Sequence, residues 1–268
     1  MMDARDTKTY LANAYNAAAD SCPSQVMSHR DYFGARTVER LHLREGEFVL
    51  DVCCGAGASA LPAARTVGPG GRVIGVDLAE GALAHGRERA AAEGLTNIEF
   101  RSADFDKVYF RAASFDAVVC VFGIFFLPDM TGALRKMWQY LRPGGRVAIT
   151  TRGPDVFEPA DTLFWDAVRR ERPDLYKTFT PWDRLTTPDL VRGLFQQAGI
   201  ADVEIEGEDY PLILESAEEF WTVAMGTGYR GTIDQLAGEQ RERVRAACLT
   251  LRERSLRSPA LYAVAGKG

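Results

Sequence analysis

The 268-residue chain is most informative at first for what it lacks. No apolar run approaches the ~20 residues that span a bilayer, so no membrane helix is expected. The start, MMDARDTKTY, has no apolar h-region, so no signal peptide is expected. There is no basic excess: 32 Lys and Arg face 37 Asp and Glu, a net charge of −5. An acidic chain is repelled by phosphate backbones, which argues against nucleic acid as a partner. Histidine is scarce, at His29, His42 and His85. The five cysteines, Cys22, Cys53, Cys54, Cys120 and Cys248, are odd in number and include an adjacent pair. That is no disulfide framework, and Cys53 and Cys54 lack the spacing to chelate one metal. The expectation is a metal-free protein of the reducing cytoplasm. Repeats and low-complexity linkers are also absent. With 46% hydrophobic and 26% charged residues, the chain has the ordinary balance of one globular α/β domain.

From about residue 46, strand and helix signals alternate. Short apolar runs stand at FVLDV (48–52), RVIGVD (72–77), IEFRSAD (98–104), FDAVVCVFG (115–123) and RVAITT (146–151). VEIE (203–206) and LYAVAG (261–266) suit two late strands. Between them lie helical stretches. Leu134, Met137, Trp138 and Leu141 form an i, i+3, i+4, i+7 stripe. Residues 79–93 are alanine-rich and end at Gly94, a C′ glycine. Thr187-Pro188 reads as an N-cap with Pro at N1, Leu190, Leu194 and Phe195 facing inward and Gly199 at the end. Ser216-x-x-Glu219 reads as a capping box. The expected fold is a doubly wound, seven-stranded, mostly parallel α/β sheet with a helical lid. Its parts are an N-terminal cap (1–40), a ligand-binding core (41–152), lid insertions (153–186 and 210–256) and remaining core elements (187–209 and 257–268).

The sharpest local feature is VLDVCCGAG, residues 49–57. A strand ends at Asp51, and Gly55-Ala56-Gly57 turns the chain into a helix. Glycine is needed there because the backbone turns sharply and must admit a ligand without a Cβ in the way. A nicotinamide-dinucleotide fold uses a similar turn, with a pyrophosphate at the helix N-terminus. Alanine at position 60 is tolerated by G-x-G-x-x-G, so spacing alone does not separate the two. Asp51 does: beside the loop it would repel a pyrophosphate by ~1 to 4 kcal/mol and attract a cation. S-adenosylmethionine (SAM) carries an ammonium and a sulfonium and no phosphate. Asp77, which ends the second strand, suits both hydroxyls of a ribose, a need that NAD and SAM share. Leu78 offers a surface for adenine. Asp104 can accept from the adenine amino group, and Phe105 can cover the ring. Cys120 and Phe122 end the fourth strand at the switch point where ligands sit. The expected cofactor contacts are Asp51, Cys53, Gly55, Ala56, Gly57, Asp77, Leu78, Asp104, Phe105 and Cys120.

VLDVCCGAG, GVDLAEGALA, SADF, FDAVVCVFGIFFLPD and LRPGGRVAIT together resemble the successive motifs of class I SAM-dependent methyltransferases. The nearest branch is that of ubiquinone/menaquinone-biosynthesis and natural-product enzymes. The resemblance covers about residues 45–152. It implies SAM as cofactor and S-adenosylhomocysteine as product, with Gly55 and Gly57 at the methionine end, Asp77 on the ribose and Asp104 on the adenine amine. It further implies that an N-terminal tyrosine, Tyr15, borders the cofactor. One departure stands out: the family usually has glycine where Cys53 sits.

A sulfonium is already an excellent leaving group, so the enzyme mainly has to align the nucleophile, worth on the order of 7–11 kcal/mol. A base adds ~10² to 10⁴-fold only where the nucleophile must lose a proton. The candidate catalytic groups are His29, in a segment that can fold over the site, with a surface or packing role as its rival, and Tyr15, with core packing as its rival. Phe122, Arg152 and Trp182 are the candidate substrate contacts. Arg152 suits an acidic substrate, with a surface salt bridge as its rival. Trp165 and Trp221 are further pocket candidates, with core packing as theirs. His85 is expected solvated and His42 structural. The Asn/Asp-Pro-Pro-aromatic motif of nucleic-acid amino-methyltransferases is absent: that place reads Cys-Val-Phe-Gly. The apolar and aromatic lid points to a flat or greasy metabolite, methylated on oxygen, nitrogen or carbon. An NAD(P)-dependent oxidoreductase and a non-catalytic SAM-binding regulator are the alternatives. A homodimer is the default assembly.

Overall fold

The computed structural model describes residues 13–17, 28–177 and 180–268. Of the expected N-terminal cap, residues 1–12 and 18–27, with Cys22, lie outside the described residues.

Seven strands form one sheet: β1 (Phe48–Val52), β2 (Arg72–Asp77), β3 (Ile98–Ser102), β4 (Phe115–Val121), β5 (Leu141–Arg152), β6 (Glu204–Asp209) and β9 (Pro259–Gly266). A separate two-stranded ribbon pairs β7 (Leu212–Ile213) with β8 (Ser255–Leu256). The sheet order is β3-β2-β1-β4-β5-β9-β6. The first five strands run parallel, and β9 is antiparallel to both β5 and β6. The chain therefore winds outward from β1 to β3, then returns to lay β4 on the other side of β1. That reversal leaves a crevice beyond the carboxyl ends of β1 and β4.

The apolar strands are buried on both faces because helices cover both. Successive side chains of a strand point to opposite faces. On one face Leu50, Ile74, Val118 and Ile149 pack against helix α4 (Met130–Tyr140) and helix α6 (Pro188–Gln197) through Leu134, Met137, Leu194 and Phe195. On the other, Val49, Val73, Val119 and Ala148 meet helices α1 (His29–Arg40), α2 (Ala60–Val67) and α3 (Glu80–Ala92) through Val38, Leu61, Ala64 and Leu83. Each of these side chains larger than alanine contributes roughly 1.5–3 kcal/mol by burial.

Some helix ends follow local chemistry. Thr187 accepts from Leu190 N, and Gly94 and Gly199 take φ of +67° and +83° past their helices. Three expectations change. Leu141 belongs to β5, because the helix stops at Tyr140. Leu190 is exposed and Val191 faces the core in its place, one step round the helix. Ser216 makes no side-chain cap, since Glu219 instead accepts from Glu215 N at 2.7 Å.

The stretches expected as lid hold a second apolar core. Helices α5 (Ala160–Glu171), α7 (Ala217–Met225), α8 (Arg230–Ile233) and α9 (Gly238–Cys248) bury Phe164, Trp165, Phe220, Trp221 and Tyr229 against one another. Trp165 and Trp221 are thus core residues.

Helix α1 lies directly on the glycine loop. At Gly34 a Cβ would stand 2.1 Å from the Ala58 carbonyl oxygen, so only glycine allows this approach. Arg89 of α3 clamps the same junction, donating to Asp31 Oδ1 and Oδ2 at 3.1 and 3.0 Å and to the Ala56 carbonyl at 3.1 Å. Asn16 accepts from Gly81 N at 2.9 Å, laying the helical residues 13–17 against the start of α3. Gly34→Ala should therefore lose about 1–3 kcal/mol in urea unfolding. Gly193→Ala on α6, where a Cβ meets nothing within 4 Å, should gain up to about 1 kcal/mol from helix propensity. Equal shifts for the two variants would show that the contact between α1 and the loop does not limit stability.

Candidate active site

The loop after β1 is shaped by three residues at positive φ: Cys53 (+57°), Gly55 (+52°) and Gly57 (+87°). Cys54 N donates to Val76 O at 3.2 Å and Gly57 N to Cys54 O at 2.9 Å. Gly55 N donates to Asp77 Oδ2 at 2.9 Å, and Ala79 N donates to Asp77 Oδ1 at 2.9 Å. One carboxylate thus joins the loop to the end of β2. A Cβ on Gly55 would meet nothing within 4 Å, so this glycine fronts open space. Gly57 instead serves packing, since a Cβ there would crowd Leu61 Cγ at 3.0 Å and Phe100 Cζ at 3.1 Å.

Cys53 now has a physical account. The left-handed backbone explains why glycine is usual at this place, and Gly123 makes the room for a thiol. A Cβ on Gly123 would lie 2.4 Å from Cys53 Cβ.

A cleft runs along the carboxyl ends of the strands. It collects the expected Tyr15, Cys53, Gly55, Ala56, Asp77, Leu78, Asp104, Phe105, Phe122, Arg152 and Trp182. Leu78 is 38% exposed although it lines this wall. Asp104 Oδ1 accepts from Asp106 N at 3.0 Å. Burial raises the pKa of Asp77, opposed by the backbone N–H groups of Ala79, Gly55 and Leu78.

Four expected residues lie behind the wall. Asp51 is fully buried below the loop, with Oδ2 accepting from Ser59 Oγ at 2.6 Å. This corrects the expectation that it meets a cationic ligand: the turn into α2 covers it. Its burial pushes the pKa up to about 7, opposed by the bond from Ser59. Gly57 packs under the loop and Cys120 is buried beside Gly123. His29 is buried at the start of α1, edge-on to Phe157 with ring centroids 6.0 Å apart, and is not part of the cleft lining.

The cleft also has residues that the sequence did not reveal. Arg30 and Asp31 come from α1, Phe126 from the 3₁₀ turn Ile124–Phe126, Phe157 from the loop after β5, and Tyr229 from the start of α8. None belongs to a periodic stripe or a glycine motif. Phe122 and Phe157 hold φ of +52° and +65°, a region bulky side chains rarely occupy and one found at functional sites. Tyr15 packs edge-on to Phe126 at 5.3 Å, and burial raises its pKa to about 12. Tyr229 donates its hydroxyl to Asp161, whose pKa burial raises to about 6.

Fold and cleft together define a class of protein with a doubly wound sheet and a ligand cleft at its topological switch point. The comparisons with known proteins agree. A family model described as "Methyltransferase domain" matches residues 49–145. A demethylmenaquinone methyltransferase of Lactococcus lactis is 31% identical over 190 residues, 66% of this chain and 74% of that protein. Aklanonic acid methyltransferase DauC of a Streptomyces species is 42% identical over 118 residues, 44% of this chain and 54% of that protein. The fold is shared with a phosphoethanolamine N-methyltransferase of Haemonchus contortus, solved with S-adenosylhomocysteine, at a TM-score of 0.59 and 18% identity over 100% of this chain and 61% of that one. The chain belongs to the SAM-dependent methyltransferases.

Asp51 yields a pH signature. The native carboxyl keeps its proton up to about pH 7, whereas the unfolded one loses it near 3.8. Its stabilising contribution is complete below the unfolded value and is lost as pH rises through the native one. At about 1.4 kcal/mol per tenfold in proton affinity, the loss is at most about 4 kcal/mol. Asp51→Asn should remove this fall, measured by urea unfolding between about pH 4 and 8. A variant that still loses stability as steeply as the wild type would place the titration elsewhere.

Proposed function

We propose that this enzyme transfers the methyl group of SAM to a small, hydrophobic or aromatic metabolite. The observation that carries the reading is the make-up of the cleft. The ends of β1, β2 and β3 contribute Gly55, Asp77, Leu78, Asp104 and Phe105. The ends of β4 and β5, the 3₁₀ turn Pro181–Leu185 and the helical cluster contribute Phe122, Phe157, Trp182 and Tyr229. The first group suits a nucleoside and the second a flat apolar ring.

The residues fit SAM. The Asp77 carboxylate keeps lone pairs beyond those used by Gly55 and Ala79, and these suit two ribose hydroxyls. The exposed Leu78 suits one face of adenine, and Asp104 its amino group. Open space at Gly55 suits the methionine end. When bound, SAM supplies a methyl on a sulfonium that needs no further activation. The chain's own part is to hold the acceptor in line and exclude water, with proximity as the main device. A Tyr15 phenol with a pKa of about 12 keeps its proton at neutral pH, which suits a hydrogen-bond donor and not a base. His29, behind the wall, is not supported as a base. The relatives named for demethylmenaquinone and aklanonic acid support quinone-type or polyketide-type acceptors.

Calorimetric titration with SAM, S-adenosylhomocysteine and NADH tests the cofactor. Binding of the first two with NADH silent is expected; NADH alone would move the chain to the dinucleotide enzymes. Methyl-labelled SAM with quinone and polyketide acceptors then tests transfer, and failure across such a panel would favour a regulatory SAM-binding protein. Asp77→Ala should weaken S-adenosylhomocysteine binding by about 10- to 100-fold, the loss of hydrogen bonds to a charged group. Unchanged affinity would remove Asp77 from the ribose. Trp182→Ala should raise the KM of the acceptor and leave S-adenosylhomocysteine affinity intact; the reverse pattern would take Trp182 out of the acceptor site.

A further inference from the structure

Among the described residues, the cleft contains a buried cation without a counter-ion. Arg152 ends β5, is 7% exposed, and lines the cleft. Among the described residues its guanidinium makes one hydrogen bond, to Ser258 Oγ at 3.1 Å, and no ion pair. Rings cover much of the remainder: its central carbon lies 3.8 Å from the Phe122 ring centre, 5.5 Å from that of Phe157 and 5.7 Å from that of Phe33. Burial and the like charge of Arg30 both disfavour this cation, lowering its pKa to about 9.

The nearby acids are committed elsewhere. Asp31 is held by Arg89, Asp77 by backbone N–H groups, and Asp161 by the Tyr229 hydroxyl. A guanidinium presents five N–H donors in a fork that matches a carboxylate. Buried charges in proteins are paired, and this one faces a ligand cleft. Two of the three rings around it, Phe122 and Phe157, are held in left-handed backbone. Strain retained at both positions marks a geometry under functional constraint.

We propose that Arg152 recognises a carboxylate on the methyl acceptor, so that the substrate class is an aromatic acid. This rests on the methyltransferase reading above. The other carboxylate that enters such a cleft is that of SAM itself. Arg30 also lines the cleft and donates to the Gly226 carbonyl, and the S-adenosylhomocysteine affinity of Arg152 variants separates the two carboxylates. Arg152 stands among the aromatic walls at the end of β5.

The test is calorimetric, on wild-type protein saturated with S-adenosylhomocysteine. It compares anthraquinone-2-carboxylic acid with anthraquinone-2-carboxamide, two rings of equal size that differ in charge. The acid should bind about 10- to 100-fold more tightly, the range of a hydrogen bond to a charged group. Arg152→Met should abolish the preference and leave S-adenosylhomocysteine affinity unchanged. Arg152→Lys, which keeps the charge but not the fork, should retain part of it. Equal binding of acid and amide by the wild type would overturn the proposal, and this comparison holds even if Arg152→Met does not fold. Loss of S-adenosylhomocysteine affinity in both variants, with the acid preference intact, would also overturn it by assigning Arg152 to the cofactor. Failure of S-adenosylhomocysteine to bind wild-type protein is a separate result: it would overturn the methyltransferase reading on which the proposal stands.

Discussion

The half-buried carboxylate of Asp77 is the constraint on which the site depends. Burial disfavours its charge, and backbone N–H groups from both sides of the β1–β2 crevice offset that burden. Gly55 donates only because the loop bends at left-handed φ, and the bend starts one residue after β1 ends in register with β2. The same bend turns the chain into α2, covers Asp51, and sets Ala58 where α1 can touch it at Gly34. Loop, first helix and capping helix are therefore consequences of one satisfied anion. A ligand that adds ribose hydroxyls to the same oxygens joins a network already in place, so little ordering remains to oppose binding.

Several unfavourable features stand around that rigid base. Cys53, Phe122 and Phe157 hold positive φ, and Arg152 is buried with no anion beside it among the described residues. Features of this kind persist only where the surroundings over-determine them. The two apolar layers against the sheet and the separate core of the helical cluster supply that determination. Local rules that fail together at one place mark a functional site, because chemistry asks for charge and shape that packing alone would reject.

Much of this is legible in the residues. Alternation and glycine turns mark the strands, and the acids at the ends of β2 and β3 mark the cleft, since both signals are local and short in range. Asp51, in the same motif, is the exception. Its neighbours alone do not show whether a strand-end carboxylate faces a ligand or the underside of a loop; the start of α2 decides that. Leu190 and Val191 differ by one step round a helix, and only the sheet beneath tells which is covered. The tryptophans are likewise ambiguous, because an aromatic residue at helical spacing serves a core or a pocket equally well. Trp182 reaches the cleft and Trp165 and Trp221 do not.

By itself, then, the sequence determined the doubly wound sheet, the glycine loop and the placement of Asp77, Leu78 and Asp104. Each follows from backbone geometry and burial within a few neighbouring residues. The tertiary structure decided the rest of the cleft: it brings the candidates Phe122, Arg152 and Trp182 together with Arg30, Phe157 and Tyr229, which no local signal marked. The environment of a charge is a property of everything packed around it, so no local pattern could show that Arg152 lies among rings, with the nearby described acids already held by other partners.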